Sequence, residues 1–301
     1  MMRVTRGIRE VGAIIGDARA RRLQVAFVPT MGNLHAGHLS LVARAREIAP
    51  FTAVSIFVNP FQFGVGEDYG TYPRTLENDI ARLEEAGADF LFVPEVADLY
   101  PKGLDGITRV EVPGIDGVLC GSFRPTFFRG VTTVVSMLFH LVWPDYAVFG
   151  EKDYQQLVII RRMASDLRMP IGIVSSPTTR EADGLAMSSR NGYLDREERR
   201  LAPTLYRTLR EAGASLASGD VDMKAIEARG LETLAAAGFR PDYFEIRRAA
   251  DLAIPGSRHS HGEDAHGEDD GDLRILAAAW LGKTRLIDNI AVKIPPYRYP
   301  G

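Results

Sequence analysis

Only one of the 301 residues is a cysteine, Cys120. A single thiol excludes a disulfide framework and suits a reducing, cytoplasmic compartment. No apolar run approaches the ~20 residues that span a bilayer, and the N-terminus lacks the apolar stretch of a secretory signal, so no membrane partner is expected. An excess of one charge sign is missing too. The formal net charge is −3, which leaves no electrostatic footprint for nucleic acid. Much of that figure sits in one segment, where Arg258 stands against Glu263, Asp264, Glu268, Asp269, Asp270 and Asp272. Setting aside this net of −5 leaves the remainder near +2, mild enough to attract an anionic small molecule and nothing larger. What remains has the composition of an ordinary globular chain, long enough for one or two domains.

Against that background one segment stands out: Val25-Ala26-Phe27-Val28-Pro29-Thr30-Met31-Gly32-Asn33-Leu34-His35-Ala36-Gly37-His38. An apolar strand runs into a turn, Gly32 and Gly37 let the backbone approach a ligand, and a helix follows whose N-terminal N–H groups suit phosphate. His35 and His38, one turn apart, face the same way. This H-x-G-H box reads as a triphosphate cradle. The competing reading is a surface turn with two incidental histidines, and the rest of the chain has to decide.

The first half of the chain alternates between strand and helix periods. Val25–Val28 is followed by Leu41, Val42, Ala45 and Ile48 at helical spacing. Ala53–Val58 is β-branched and apolar on both faces, as central parallel strands are. Leu76, Ile80 and Leu83 mark a helix that Gly87 stops. Further strands are expected at Phe90–Val93, Tyr146–Phe149 and Ile171–Val174, with helices over Val131–Leu141 and Asp153–Ala164. Strands spaced by helices imply an α/β fold, a doubly wound parallel sheet of Rossmann-like kind with ligands beyond the carboxyl ends of its strands. After about residue 180 the texture changes. Asp195-Arg196-Glu197-Glu198 reads as a capping box that opens a helical stretch to Ala217, with Pro203 as a possible break. A helix over Asp222–Ala236 and strands at Tyr243–Arg247, Arg274–Trp280 and Thr284–Asp288 then make a smaller C-terminal α+β domain.

Three more segments carry chemistry. In Phe149-Gly150-Glu151-Lys152-Asp153-Tyr154-Gln155-Gln156, Lys152 stands where a helix begins and can reach a phosphate. Asp153 reads as the N-cap of that helix. Gln156, one turn on, offers a neutral donor and acceptor. Met187-Ser188-Ser189-Arg190-Asn191-Gly192 reads either as a second phosphate clamp or as a polar turn. Asn59-Pro60-Phe61-Gln62-Phe63 presents Gln62, with both hydrogen-bonding senses, beside an apolar surface. The Gly-rich stretch 64–68 that follows could form a mobile lid.

Together these segments closely resemble the pantoate–β-alanine ligase family. The matching strings are VPTMGNLHAGH at 28–38, SIFVNPFQF at 55–63 and YPRTLENDIARL at 72–83, then FGEKDYQQLVIIRRMASDL at 149–167, READGLAMSSRNGYLD at 180–195 and AAWLGKTRLIDNI at 278–290. H-x-G-H alone is shared by many nucleotidylyl-transferring enzymes, whereas GEKD-x-QQ with MSSRN and NP-x-QF is specific. The resemblance implies that ATP adenylates the carboxylate of pantoate, with release of pyrophosphate, and that β-alanine then displaces AMP. It implies an ATP site made of Met31, Gly32, Asn33, Leu34, His35, Ala36, Gly37 and His38, with Gly150, Glu151, Lys152, Asp153, Thr179, Met187, Ser188, Ser189 and Arg190. Among these, His35, His38, Lys152, Ser188 and Arg190 carry the catalysis by stabilising phosphate charge. Gln62 and Gln156 match the pantoate-binding positions, and Gln62 also lies near β-alanine. Pro29, Val131, Val134 and Val135 match the apolar wall for pantoate, while Asn59, Tyr72 and Arg124 match further pocket positions. Mg²⁺ would ride mainly on the ATP phosphates, and Asp79 is the only protein ligand suggested for it. The family likeness further implies a domain at 1–178 that binds ATP and pantoate, a domain at 179–301 that closes over the ATP site, and a homodimer.

Two departures from the family pattern are visible. Phe127 occupies a place in Arg124-Pro125-Thr126-Phe127-Phe128-Arg129-Gly130 where a histidine is common. The tract 256–271, with His259, His261 and His266 among acids, is longer than the expected connection. It reads as a flexible, solvated hairpin insertion or as a weak transition-metal site. Rival functions are a nucleotidylyltransferase with a phosphorylated acceptor, which would want more cations than Gln62 and Gln156 supply, and a non-catalytic nucleotide or metal sensor. An aminoacyl-tRNA synthetase is disfavoured by chain length and by the lack of a basic surface.

Overall fold

A computed structural model describes residues 1–64, 66–219, 222–256 and 272–293. Val65 and the tract 257–271, including its three histidines, lie outside the described residues. The chain divides into two compact units, Met1–Thr179 and Arg180–Gly301.

The first unit is built on a six-stranded, all-parallel sheet. Its strands are β1 (Arg3–Thr5), β2 (Val25–Thr30), β3 (Phe51–Ile56), β4 (Phe90–Phe92), β5 (Tyr146–Gly150) and β6 (Gly172–Ser176). Their spatial order is β1-β4-β3-β2-β5-β6. From β2 the chain first winds one way to β3 and β4, then returns to the other side of β2 for β5 and β6. The switch point therefore lies between β2 and β5, where a doubly wound sheet opens a crevice at its carboxyl edge. Every residue of β3 is buried, as is Val25–Val28 of β2. This accounts for their unbroken apolar runs, since helices cover both faces of such a sheet.

The helices of this unit are α1 (Ile8–Ala20), α2 (Ala36–Ile48), α3 (Leu76–Ala86), the single turns α4 (Val96–Leu99) and α5 (Cys120–Phe123), α6 (Phe127–Val142) and α7 (Tyr154–Asp166). Gly87 ends α3 in the left-handed region at φ 77°, and a β-carbon there would stand 2.8 Å from the Arg46 guanidinium carbon. The edge strand β1 and helix α1 leave no clear signal in the sequence. β1 has only three residues, and α1 buries a narrow stripe of Val11, Ile15 and Ala18.

In the second unit, α8 (Arg196–Leu201) is opened by Asp195, whose carboxylate accepts from the Glu198 N–H at 2.9 Å, while Glu198 accepts from the Asp195 N–H at the same distance. Pro203 separates α8 from α9 (Thr204–Ala217), and α10 (Met223–Ala236) follows. Three antiparallel strands, β7 (Arg240–Arg248), β8 (Asp272–Leu281) and β9 (Thr284–Lys293), complete the unit. Leu205, Leu209, Leu216 and Leu234 from the helices share one core with Phe244 and Ile275 from the sheet.

Candidate active site

The turn that leaves β2 is shaped by a residue far from it in sequence. Gly32 and Asn33 both take left-handed φ angles, 81° and 50°. A β-carbon on Gly32 would meet Ile56 Cγ2 at 3.0 Å and Asp79 Oδ2 at 3.1 Å, so glycine is needed on both counts. Asp79, on α3 and only 1% exposed, accepts from the Asn33 N–H at 2.9 Å and the Leu34 N–H at 2.8 Å. Thr75 Oγ1 donates to the same carboxylate at 3.2 Å. Asp79, suggested by the sequence as a Mg²⁺ ligand, thus accepts three hydrogen bonds, two from the turn and one from Thr75. Leu34, expected in the ATP-binding stretch, is anchored on the protein side of the turn. Its side chain is buried in the core, its N–H belongs to Asp79 and its carbonyl accepts from Arg82.

His35 is the N-cap of α2 and His38 sits three residues on, with ring centroids 4.2 Å apart. His35 Nδ1 accepts from the Gly37 N–H at 3.1 Å, and the His35 N–H donates to His38 Nδ1 at 3.3 Å. Backbone N–H groups can only donate, so each neutral ring carries its proton on Nε2. The His38 N–H is in turn held by the His35 carbonyl at 2.8 Å. The first turn of α2 therefore spends backbone donors on its own imidazoles and presents imidazole N–H groups instead. Burial pushes the His38 pKa down to about 3, helped by the charges of His35 and Lys152. His38 is accordingly a neutral hydrogen-bond donor at physiological pH, and the field of Lys152 reaches it.

On the other side of the switch point β5 ends at Gly150, and a 3₁₀ turn, Glu151–Asp153, leads into α7. Asp153 holds the N-cap position but makes no capping hydrogen bond, contrary to the sequence expectation. Its side chain is 49% exposed and stands 3.8 Å from Lys152 Nζ. The next two glutamines divide sharply. Gln155 is buried, accepts from the Cys120 N–H at 3.0 Å, and donates to the carbonyls of Ile115 at 2.8 Å and Val118 at 2.7 Å. It is a brace for the segment before α6. Gln156, partly exposed, is left with an amide available to a ligand. Thr179 Oγ1 lies 3.0 Å from Ser40 Oγ in the first turns of α2.

Beyond β3 a 3₁₀ turn, Pro60–Gln62, carries Gln62 inward. Asn59 Nδ2 donates to Gln62 Oε1 and to the Gly130 carbonyl, both at 3.1 Å. Gln62 Nε2 points at Met31 Sδ, 3.1 Å away on the β2 turn. Gly130 lets α6 approach this closely, since a β-carbon would stand 2.5 Å from the Phe61 carbonyl oxygen. Just beyond Gly130 on α6, Val131, Val134 and Val135 are buried. Arg124 pairs with both Glu67 carboxylate oxygens, at 2.6 and 2.5 Å, and its guanidinium lies 3.7 Å above the Phe127 ring. The phenylalanine that replaces the usual histidine thus serves as a platform for Arg124. Tyr72 is buried with its ring 6.0 Å from that of Phe63. Among the described residues no group of three or more His, Cys, Asp or Glu side chains could hold a metal ion.

Met187, Ser188, Ser189 and Arg190 belong to the second unit. Ser188 Oγ accepts from the Arg190 N–H at 3.2 Å and caps the 3₁₀ turn Ser189–Tyr193. The segment before it is tied down by Arg180, paired with Asp288 at 2.6 and 2.9 Å and stacked 3.6 Å above Tyr206. Arg199 adds pairs to Glu181 and Asp183, at 2.5 and 2.6 Å. Of the residues that sequence reasoning missed, Tyr100 is the one aimed at the site. Its hydroxyl donates to Asn59 Oδ1 at 2.7 Å. No periodicity marks it, because it stands in an irregular stretch about forty residues from its partner.

A family model described as "Pantoate-beta-alanine ligase" matches residues 3–291. The pantothenate synthetase of Pseudomonas aeruginosa is 51% identical over 295 residues, covering 97% of this chain and all of the relative. That of Azotobacter vinelandii is 53% identical over 291 residues, covering 95% of this chain and 98% of the relative. Among solved structures, pantothenate synthetase from Thermus thermophilus superposes with a TM-score of 0.85 at 45% identity, covering 96% of this chain and 99% of that one. The pantoate–β-alanine ligase of Francisella tularensis, complexed with a β,γ-ATP compound and β-alanine, gives 0.78 at 32% identity and covers 96% and 97%.

Proposed function

The chain belongs to the pantoate–β-alanine ligase family, and on that premise we propose that the crevice between β2 and β5 is where it joins pantoate to β-alanine at the expense of ATP. One observation carries the placement. Met31, on the turn that presents His35 and His38, is 3.1 Å from the amide of Gln62. This supports a site in which the proposed phosphate donors and the amide proposed for the acid stand side by side. The Francisella relative's complex with a β,γ-ATP compound and β-alanine supports ATP and β-alanine as ligands.

In the first step a pantoate carboxylate oxygen attacks the α-phosphorus of ATP, and pyrophosphate leaves. The residues need not supply a nucleophile. They hold the acid in line and stabilise charge on the phosphates. We assign the phosphate contacts to the Nε2–H groups of His35 and His38 and to Lys152, with Gly150, Glu151 and Asp153 around it and Thr179 toward the adenine. Gln62, Gln156, Pro29 and the three α6 valines are assigned to pantoate, and Gln62 also to β-alanine. In the second step the β-alanine amine attacks the acyl carbon, loses a proton and expels AMP. Ser188, Ser189 and Arg190 are assigned to the nucleotide by the family likeness. Mg²⁺ is expected to enter on the ATP phosphates. Among the described residues the carboxylates form no cage for it. A cytoplasmic homodimer completes the proposal. Cys120 as the sole cysteine supports the compartment, and sedimentation velocity tests the dimer. Among the described residues no helix is long and apolar enough to cross a membrane.

ATP–pyrophosphate exchange tests the reading. Exchange should require pantoate and proceed without β-alanine. Exchange driven by a phosphorylated acceptor in place of pantoate would identify a nucleotidylyltransferase, and none under any condition would leave a nucleotide sensor.

A further inference from the structure

The hydrogen-bond polarity around Asn59 is fixed by groups that have no choice of role. The Phe61 N–H can only donate, and it meets Asn59 Oδ1 at 3.2 Å. The Gly130 carbonyl can only accept, and it meets Asn59 Nδ2 at 3.1 Å. These two backbone groups define which end of the Asn59 amide is oxygen. The Tyr100 hydroxyl, 2.7 Å from that oxygen, must then donate to it. The second Nδ2 proton needs an acceptor, and Gln62 Oε1 supplies one at 3.1 Å. The chain of constraint ends at Gln62, whose oxygen is turned to Asn59. Its Nε2 is left facing Met31 Sδ, a weak acceptor that a ligand oxygen can displace.

From this we propose that Tyr100 is a positioning residue which, through Asn59, holds Gln62 with its Nε2 end toward the ligand, so that it meets the ligand as a hydrogen-bond donor. The sequence alone leaves the orientation of the Gln62 amide open, and tertiary packing sets it. An amide held this way selects a ligand oxygen with free lone pairs, such as a carboxylate or a hydroxyl, over a group that presents N–H there. Burial pushes the Tyr100 phenol above its ordinary pKa, so the relay keeps its polarity throughout the working pH range. Tyr100 packs edge-on to Phe61 and beside Phe57, at centroid separations of 6.3 and 6.2 Å, which fixes the hydroxyl without help from the ligand.

The inference rests on the assignment of Gln62 to the acid substrate, and a double-mutant cycle separates the two. Tyr100→Phe in the otherwise natural chain should raise the pantoate KM by about threefold to tenfold, the effect of one lost hydrogen bond. It should leave kcat at saturating pantoate and the ATP KM within about twofold. Added to Gln62→Ala, the same substitution should change the pantoate KM by less than about 1.5-fold, because its effect travels through Gln62. Asn59→Asp keeps the acceptor for Tyr100 but cannot donate to Gln62. It should raise the pantoate KM further than Tyr100→Phe, again only while Gln62 is present, and it carries the cycle if the phenylalanine variant folds poorly. An equal rise in both backgrounds, or none in the natural chain, would overturn the positioning role. If Gln62→Ala alone left the pantoate KM unchanged, the assignment of Gln62 itself would fall.

Discussion

In the first unit the turn from Thr30 to His38 hangs from one carboxylate that is 1% exposed, whereas in the second unit the segment from Arg180 to Asn191 is tied by ion pairs, one to the buried Asp288 and two, from Arg199, nearer the solvent. Arg199 illustrates the second kind. Its side chain is 34% exposed and Asp183 is 41% exposed. In the first unit a buried acceptor fixes backbone donors in place, so imidazoles are presented at a set angle with no change of charge. In the second, charges fix charges, and water and salt compete for the pairs that Arg199 makes. The first arrangement suits groups that must be preorganised in atomic detail. The second tolerates change at modest cost.

The largest effect is expected at Lys152, whose charge reaches His38 on this rigid turn. Lys152→Ala should lower single-turnover formation of the acyl adenylate by about 10²–10³ while the fold persists, the scale on which one preorganised donor acts. Less than about a threefold loss would remove Lys152 from the phosphate site. Next, Asp79→Ala strands the N–H groups of Asn33 and Leu34 at roughly 1–3 kcal/mol each, so urea unfolding should reveal a loss of about 2–4 kcal/mol together with weaker ATP binding. A loss under about 1 kcal/mol would mean that the turn holds itself.

A smaller, pH-dependent effect belongs to His38. Its pKa falls from 6.5 to about 3 on folding, so between those values the unfolded chain binds a proton that the folded chain refuses. Stability should therefore fall as pH drops through that window, and His38→Ala should flatten the slope. The His38 titration followed by NMR should also move upward in Lys152→Ala, because that charge is one cause of the depression. A ring that titrates near 6.5 would break the assignment of a neutral donor. Smallest of all, Arg199→Ala should cost less than about 1 kcal/mol for each pair it removes, and less still at high salt. Arg199 holds the Asp183 carboxyl below its ordinary pKa of 3.8. That contribution is present above this value and vanishes in acid as Asp183 is protonated.

Much of this is legible in residue type and spacing alone. The unbroken apolar runs of β2 and β3 reflect burial on both faces, and that burial leaves its mark directly in residue type. Gly87 and Asp195 announce helix ends because their local chemistry is needed there whatever the tertiary fold. The H-x-G-H box, GEKD and NP-x-QF can be placed after strand ends by counting. Asp79 cannot be read correctly that way. A lone acid on a helix looks the same whether it faces a metal, solvent or the backbone of a turn 45 residues away. Gln155 and Gln156 are neighbours of one type, and only the packing against Cys120, Ile115 and Val118 makes the first a brace.

The sequence by itself determined the order of the strands and helices from β2 onward that carry clear periodicity, the family, and the chemistry the chain can offer, because periodicity, capping and motif spacing are local and every residue carries them wherever the chain goes. Tertiary structure alone decided which nitrogen of each histidine bears the proton, that Asp79 serves a turn, and that Gln62 donates. Those properties belong to hydrogen bonds between particular partners, most of them distant in sequence, and such bonds acquire direction only when folding brings an obligate donor or acceptor alongside.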